Sequence, residues 1–211
     1  MFHEEEYHGY RIRIEPEEYP ESPREWDNLG TMICKHRDYD LGDVKESKRY
    51  EKRYGSIEND MAHYFYYEHY KSYRSPQYID DYDELTEKGV QAILNKVEKD
   101  FVVLPLYLYD HSGITMNTTG FSCRWDSGQV GFIYVSKAKI TSAKNWRQSA
   151  QENLVAEVKI YDNYLTGNVG VMIIEKDDEI VESCSGYYPD DSDWDEMIDE
   201  ARAIVDHLEE I

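Results

Sequence analysis

The chain has few cysteines, few basic residues beside its acidic ones and no long apolar run. Its three cysteines, Cys34, Cys123 and Cys184, are an odd number without CxxC spacing. That leaves no disulfide framework and no usual zinc-ligand pattern, and it fits a chain whose thiols stay reduced. No stretch of about 18 apolar residues occurs and the start has no leader-like apolar core, so neither a membrane partner nor export is expected. HExxH, a nucleophile elbow and a glycine-rich phosphate cradle are all missing, which removes the local signatures of several enzyme classes. No internal repeat is evident.

Basic residues are outnumbered: 23 Lys and Arg face 44 Asp and Glu, for a formal charge of −21. Such a field repels phosphate backbones, so direct nucleic-acid binding is not expected. It attracts cationic grooves on other proteins and speeds encounter with them. Solubility alone is the plain alternative. The aromatic share of 14%, with twenty tyrosines, argues for a folded chain rather than a disordered one. A length of 211 residues suffices for one domain with a sizeable core.

Periodicity supplies the elements. Residues 1–8 are acidic and read as a frayed start. Tyr10–Ile14 alternates as a short strand, a proline-bearing acidic arm follows, and Leu29–His36 is apolar enough for a second strand. Residues 45–82 form a tyrosine-rich insertion in which Ser56 caps a helix starting at Ile57. A helix over Asp83–Lys99 leads into strand Phe101–Tyr109, whose Pro105 implies an edge or a bulge. Gln129–Ser136 is apolar on both faces and is therefore central. Trp146–Leu165 is helical and stops at Gly167; the EKDDE stretch turns a hairpin between Asn168–Ile174 and Glu179–Ser185; Trp194–Leu208 closes the chain as an acidic helix. Together these predict a single α+β domain, a mainly antiparallel sheet of five or six strands with three or four helices packed on it.

Two groups of residues could carry function. One is the loop between the two strongest strands. Asp110, His111 and Ser112 lie at a strand end, and Cys123 and Asp126 lie farther on; Cys123 with His111 would be a nucleophile and its base, as in a small hydrolase. The alternatives are a turn opened by Gly113 and a tight hairpin anchored by Trp125. Asp27, His36, Asp38, Asp40 and Asp43 would make a hard-cation site with His111 and Asp126 if they converged, but nothing in their spacing requires it, so no metal and no cofactor are expected. The other group is the acidic end. From Glu175 onward fifteen carboxylates face only Lys176 and Arg202. Asp177, Asp178, Glu179, Glu182, Asp190, Asp191, Asp193, Asp195, Glu196, Asp199 and Glu200 would engage a basic groove, with Tyr187 and Tyr188 as anchors. An ordinary solvated helix face is the competing account.

The segments WDNLGTMICKHRDYDLGD, LPLYLYDHSGITM, FSCRWDSGQVGFIYVS and EVKIYDNYLTGNVGVMIIE resemble a family of uncharacterised proteins encoded by bacteriophages and other mobile elements. The resemblance implies expression in a bacterial cytoplasm but carries over no catalytic residue. Origin and charge together lead to the expectation of a protein that binds the basic groove of a host nuclease or helicase complex. It would then inhibit a defence system such as CRISPR or restriction by mimicking DNA.

Overall fold

In a computed structural model of the chain the structure describes residues 2–43, 56–71, 79, 85–140, 146–189 and 193–210. Of the tyrosine-rich insertion, only residues 56–71 and Ile79 are among them; Asp190 and Asp191 lie outside. Among the described residues there are eight strands, β1 (His3–Tyr7), β2 (Tyr10–Pro16), β3 (Thr31–Cys34), β4 (Phe101–Asp110), β5 (Ile114–Asn117), β6 (Ser127–Ser136), β7 (Gly170–Lys176) and β8 (Glu179–Tyr187), and four helices, α1 (Ile57–His69), α2 (Glu87–Asp100), α3 (Trp146–Thr166) and α4 (Asp195–Glu209). The class is α+β, as expected. The strands form two four-stranded sheets, ordered β1-β2-β7-β8 and β3-β6-β4-β5, where one sheet was expected. Alternation of apolar residues says which face of a strand is buried but not which strand lies beside it.

The chain divides into two compact units, one of residues 1–26, 113–115 and 159–211, the other of 27–112 and 116–158. In the second unit β6 and β4 are the interior strands. Pro105 is on interior β4, and the pairing of β4 with β6 slips between Leu106 and Tyr107, so the bulge expected from the proline is found and the edge is not. Alternation along β6 sends Phe132 and Tyr134 toward α1 and α2, into a core with Phe65, Tyr66, Ile93 and Phe101. Ile133 faces the other way, where a Cβ on Gly30 would come within 2.9 Å of it and 2.4 Å of Leu154 of α3. Helix α1 begins where Ser56 accepts the Asn59 N–H at 3.2 Å. Residues 62–66 of it are all buried, as befits a helix apolar around most of its circumference. His63 is one of them: Nδ1 donates to the Asn59 carbonyl (2.8 Å) and Nε2 accepts from the Leu85 N–H (3.3 Å), so the ring is a neutral, satisfied core residue.

In the first unit, residues 3–7 are not frayed. They pair with β2 along their whole length, from His3 against Ile14 to Tyr7 against Tyr10. His8 (φ +49°) and Gly9 (φ +77°) make the two-residue turn, and Asp177 (φ +55°) and Asp178 (φ +65°) make the matching turn between β7 and β8. Positive φ at both turn positions matches the strand twist of a tight hairpin. Tyr10, Ile12, Ile14, Met172 and Ile174 point to one face, where Met197, Ile198, Ala201 and Val205 of α4 cover them. The opposite face carries ion pairs instead: Arg13 bonds Glu175 at 2.6 Å and also Glu15, and Arg11 bonds Glu4 at 2.8 Å.

Candidate functional site

The β4–β6 connection brings together three of the four residues of the enzyme reading. The Asp110 N–H donates to the Asp126 carbonyl at 2.8 Å, closing the base of the loop. Ser112 takes φ +60°, and the Ser127 hydroxyl donates to the Cys123 carbonyl. These bonds place Asp126 Oδ2 3.5 Å from the Cys123 thiol and 3.5 Å from His111 Nδ1. Asp110 turns elsewhere and accepts from the Tyr39 hydroxyl at 3.3 Å; partial burial first, then this carboxylate, pushes the Tyr39 phenol up.

The chemistry does not follow from this closeness. A nucleophile is activated by a base in contact with it, and here thiol and imidazole both reach a carboxylate that lies between them. The His111 side chain is 65% exposed, so the trio sits on an open loop rather than in a water-excluding cleft. The nearby depression is lined by Tyr107, Thr119, Phe121 and Arg124, not by Cys123, His111 or Asp126. Trp125 does not anchor the hairpin: it is 95% exposed, and the Asp126 carbonyl and the Ser127 hydroxyl close the loop without it. The would-be cation ligands part as well: Asp43 Oδ2 is bound to the Met32 N–H (2.7 Å) and His36 Nδ1 to the Asp38 N–H (3.2 Å). Among the described residues no group of three or more His, Cys, Asp or Glu is placed to hold a metal ion.

Ten carboxylates of the acidic end sort into two sets. One set is tied to cations: Glu175 to Arg13, Glu209 to Lys176 at 2.9 Å, and Asp199 to Arg202 at 3.3 Å. The Lys176 hydrogen bond holds the Glu209 carboxyl below its usual range. The other set surrounds β8. Glu179 and Glu182 lie on the strand, Asp177 and Asp178 in the turn before it, and Asp193, Glu196 and Glu200 come near Tyr187 at its end. Their hydrogen bonds are to neutral groups. Glu182 accepts from the Ser183 N–H (3.0 Å), Glu196 from the Tyr187 hydroxyl (3.4 Å) and Asp193 from the Asp195 N–H (3.0 Å). Among the described residues no Lys or Arg pairs with any of these seven. Asp195 and Glu196 also occupy the first turn of α4, where the helix dipole favours negative charge.

The two tyrosines are less free than anchors need to be. Tyr187 packs against Trp194 with ring centroids 5.9 Å apart, and burial followed by the Glu196 carboxylate pushes its phenol up. Tyr188 stands edge-on to Trp26 and donates to the Glu21 carbonyl at 2.7 Å; burial pushes its phenol up to about 12.

One feature lacked any sequence signal. A cavity of about 140 Å³ lies between α1 and β6, lined by Ile33, Ile57, Tyr64 and Phe132 with Lys35 and Asp60 3.9 Å apart at its polar side. Its residues come from three separate elements, and no local pattern joins them. No protein-family model, curated protein or solved structure matches the chain. No helix among the described residues is long and apolar enough to cross a membrane.

Proposed function

We propose that this chain is an acidic protein-binding module of phage or mobile-element origin. It occupies the basic, nucleic-acid-facing groove of a host nuclease or helicase complex and inhibits a bacterial defence of the CRISPR or restriction kind. The observation that carries this reading is the set of seven carboxylates around β8 that have no cationic partner among the described residues. Unpaired surface carboxylates cost little in water and supply the field that steers a cationic groove. The hydrolase reading is the weaker, because Asp126 stands between the thiol and its base.

Competition with DNA tests it. A fluorescent duplex bound to a restriction endonuclease or to a CRISPR effector is titrated with the protein, and anisotropy reports release of the duplex. The expected outcome is displacement at low salt that fades steeply as salt rises. Replacing Glu179, Glu182, Glu196 and Glu200 together by Gln should slow association about tenfold. If the duplex stays bound to every such enzyme at low salt, the reading is wrong.

A further inference from the structure

Among the described residues the four sheet edges are unequal. β1, β3 and β5 are five, four and four residues long. Short edge strands are one of the means by which proteins avoid stray pairing. β8 is nine residues long, lacks proline, and is exposed at every residue from Glu179 to Gly186. Ile180 and Val181, β-branched and suited to a pleated surface, are 62% and 42% exposed. The Ser183 N–H is held by the side chain of its own neighbour Glu182, a bond that the carbonyl of an added strand replaces.

Register fixes what an added strand would meet. Glu182 lies opposite Ile174 and Glu179 opposite Lys176, which places both on the face covered by α4. Ile180 lies opposite Glu175, on the other face. A segment with alternating basic and apolar side chains therefore matches this edge on both faces.

We propose that β8 is a docking edge to which an extended basic segment of a partner protein adds as a fifth strand. Its Lys or Arg side chains lie against Glu179 and Glu182, and its apolar ones against Ile180. The proposal rests on the acidic-module reading above and adds the mode of contact. A second copy of the chain suits the edge poorly, since each copy carries −21 and brings Glu179 and Glu182 of its own.

The probe is a nine-residue peptide alternating Lys and Val, compared with the same peptide N-methylated along its backbone. The two share charge and side chains, but only the first can form a ladder. Amide hydrogen exchange along β8 is followed at low salt by NMR. With the unmethylated peptide at about ten times its dissociation constant, β8 amides should exchange about tenfold more slowly. The methylated peptide should leave them unchanged, and Glu179→Gln with Glu182→Gln should weaken binding of the first. Equal binding of both peptides without protection of β8 overturns strand addition and leaves the acidic-module reading standing. Binding of neither overturns both. Concentration-dependent protection of β8 without peptide, with a dimer in sedimentation, gives the edge to a second copy and overturns the proposal.

Discussion

The two sheets solve one problem, an apolar face that must leave water, in different ways. The β3-β6-β4-β5 sheet packs rings: Phe65 lies 4.8 Å from Phe101 and 4.9 Å from Tyr134, and the Tyr64 and Tyr134 hydroxyls share a 2.8 Å hydrogen bond in the same cluster. The β1-β2-β7-β8 sheet packs mainly aliphatic residues under one helix, spends its other face on Arg–Glu pairs and leaves its last strand exposed. Rings interlocked on several sides leave little room for a partner. An exposed strand beside unpaired carboxylates suits one better. The largest expected effect follows from the first half of that contrast. Phe65→Ala empties a fully buried ring site and should cost about 3–5 kcal/mol, read as a lower midpoint in urea unfolding. A cost below about 1 kcal/mol would mean that the aromatic cluster is loosely packed, and the contrast between the sheets would fail.

Much of the first sheet was legible because its signals are local. Ser56 before a helical run, two apolar faces along β6 and a proline beside a bulge each act within a few residues. The second sheet was legible only in part. β1 escaped notice because its inward positions are His3, Glu5 and Tyr7, and Glu5 is held on that face by two bonds to Arg202 at 2.8 and 2.7 Å, almost two hundred positions away. The first sheet has gaps of its own: the four residues of β5 are too few to show a period. The start of α2 at Glu87 is set by Thr86, which accepts the Gly89 N–H at 3.1 Å, a cap that the expected start at Asp83 passed over. At the site, the list of acidic residues could be read directly. Their division into paired and unpaired sets could not, because it depends on where Arg13, Lys176 and Arg202 reach.

The sheets should also respond to acid at different points. The His69 ring lies against Phe101 (4.9 Å) and Phe65 (5.5 Å), and burial lowers its pKa from 6.5 although part of it reaches water. The unfolded chain therefore takes up this proton first, so stability falls as pH drops below about 6.5 toward the lower folded value. In the other sheet the Arg202 hydrogen bond holds the Glu5 carboxyl below 4.5. That contribution is complete above about pH 4.5 and is lost as pH falls through the depressed folded value. Urea midpoints should show both steps, with His69→Gln removing the upper and Arg202→Ala the lower. At neutral pH Arg202→Ala should cost about 1 kcal/mol or less, since both side chains reach solvent. If either variant keeps the step assigned to it, that step has another source and the contrast between the sheets fails.

The smallest effect is the sharpest test of the exposed edge. Ile180→Ser on β8 removes an apolar side chain that the sheet does not bury, so urea unfolding should shift by no more than about 0.5 kcal/mol. Ile174→Ser, on the neighbouring strand and fully buried, should cost several times more because it leaves both a void and a hydroxyl under α4. The ratio of the two is informative because both residues are isoleucines in adjacent strands of one sheet, differing in what covers them. If Ile180→Ser instead costs about 2 kcal/mol, and the cost grows with protein concentration, Ile180 is being covered by another copy. β8 would then be a self-association edge rather than one left free for a basic partner.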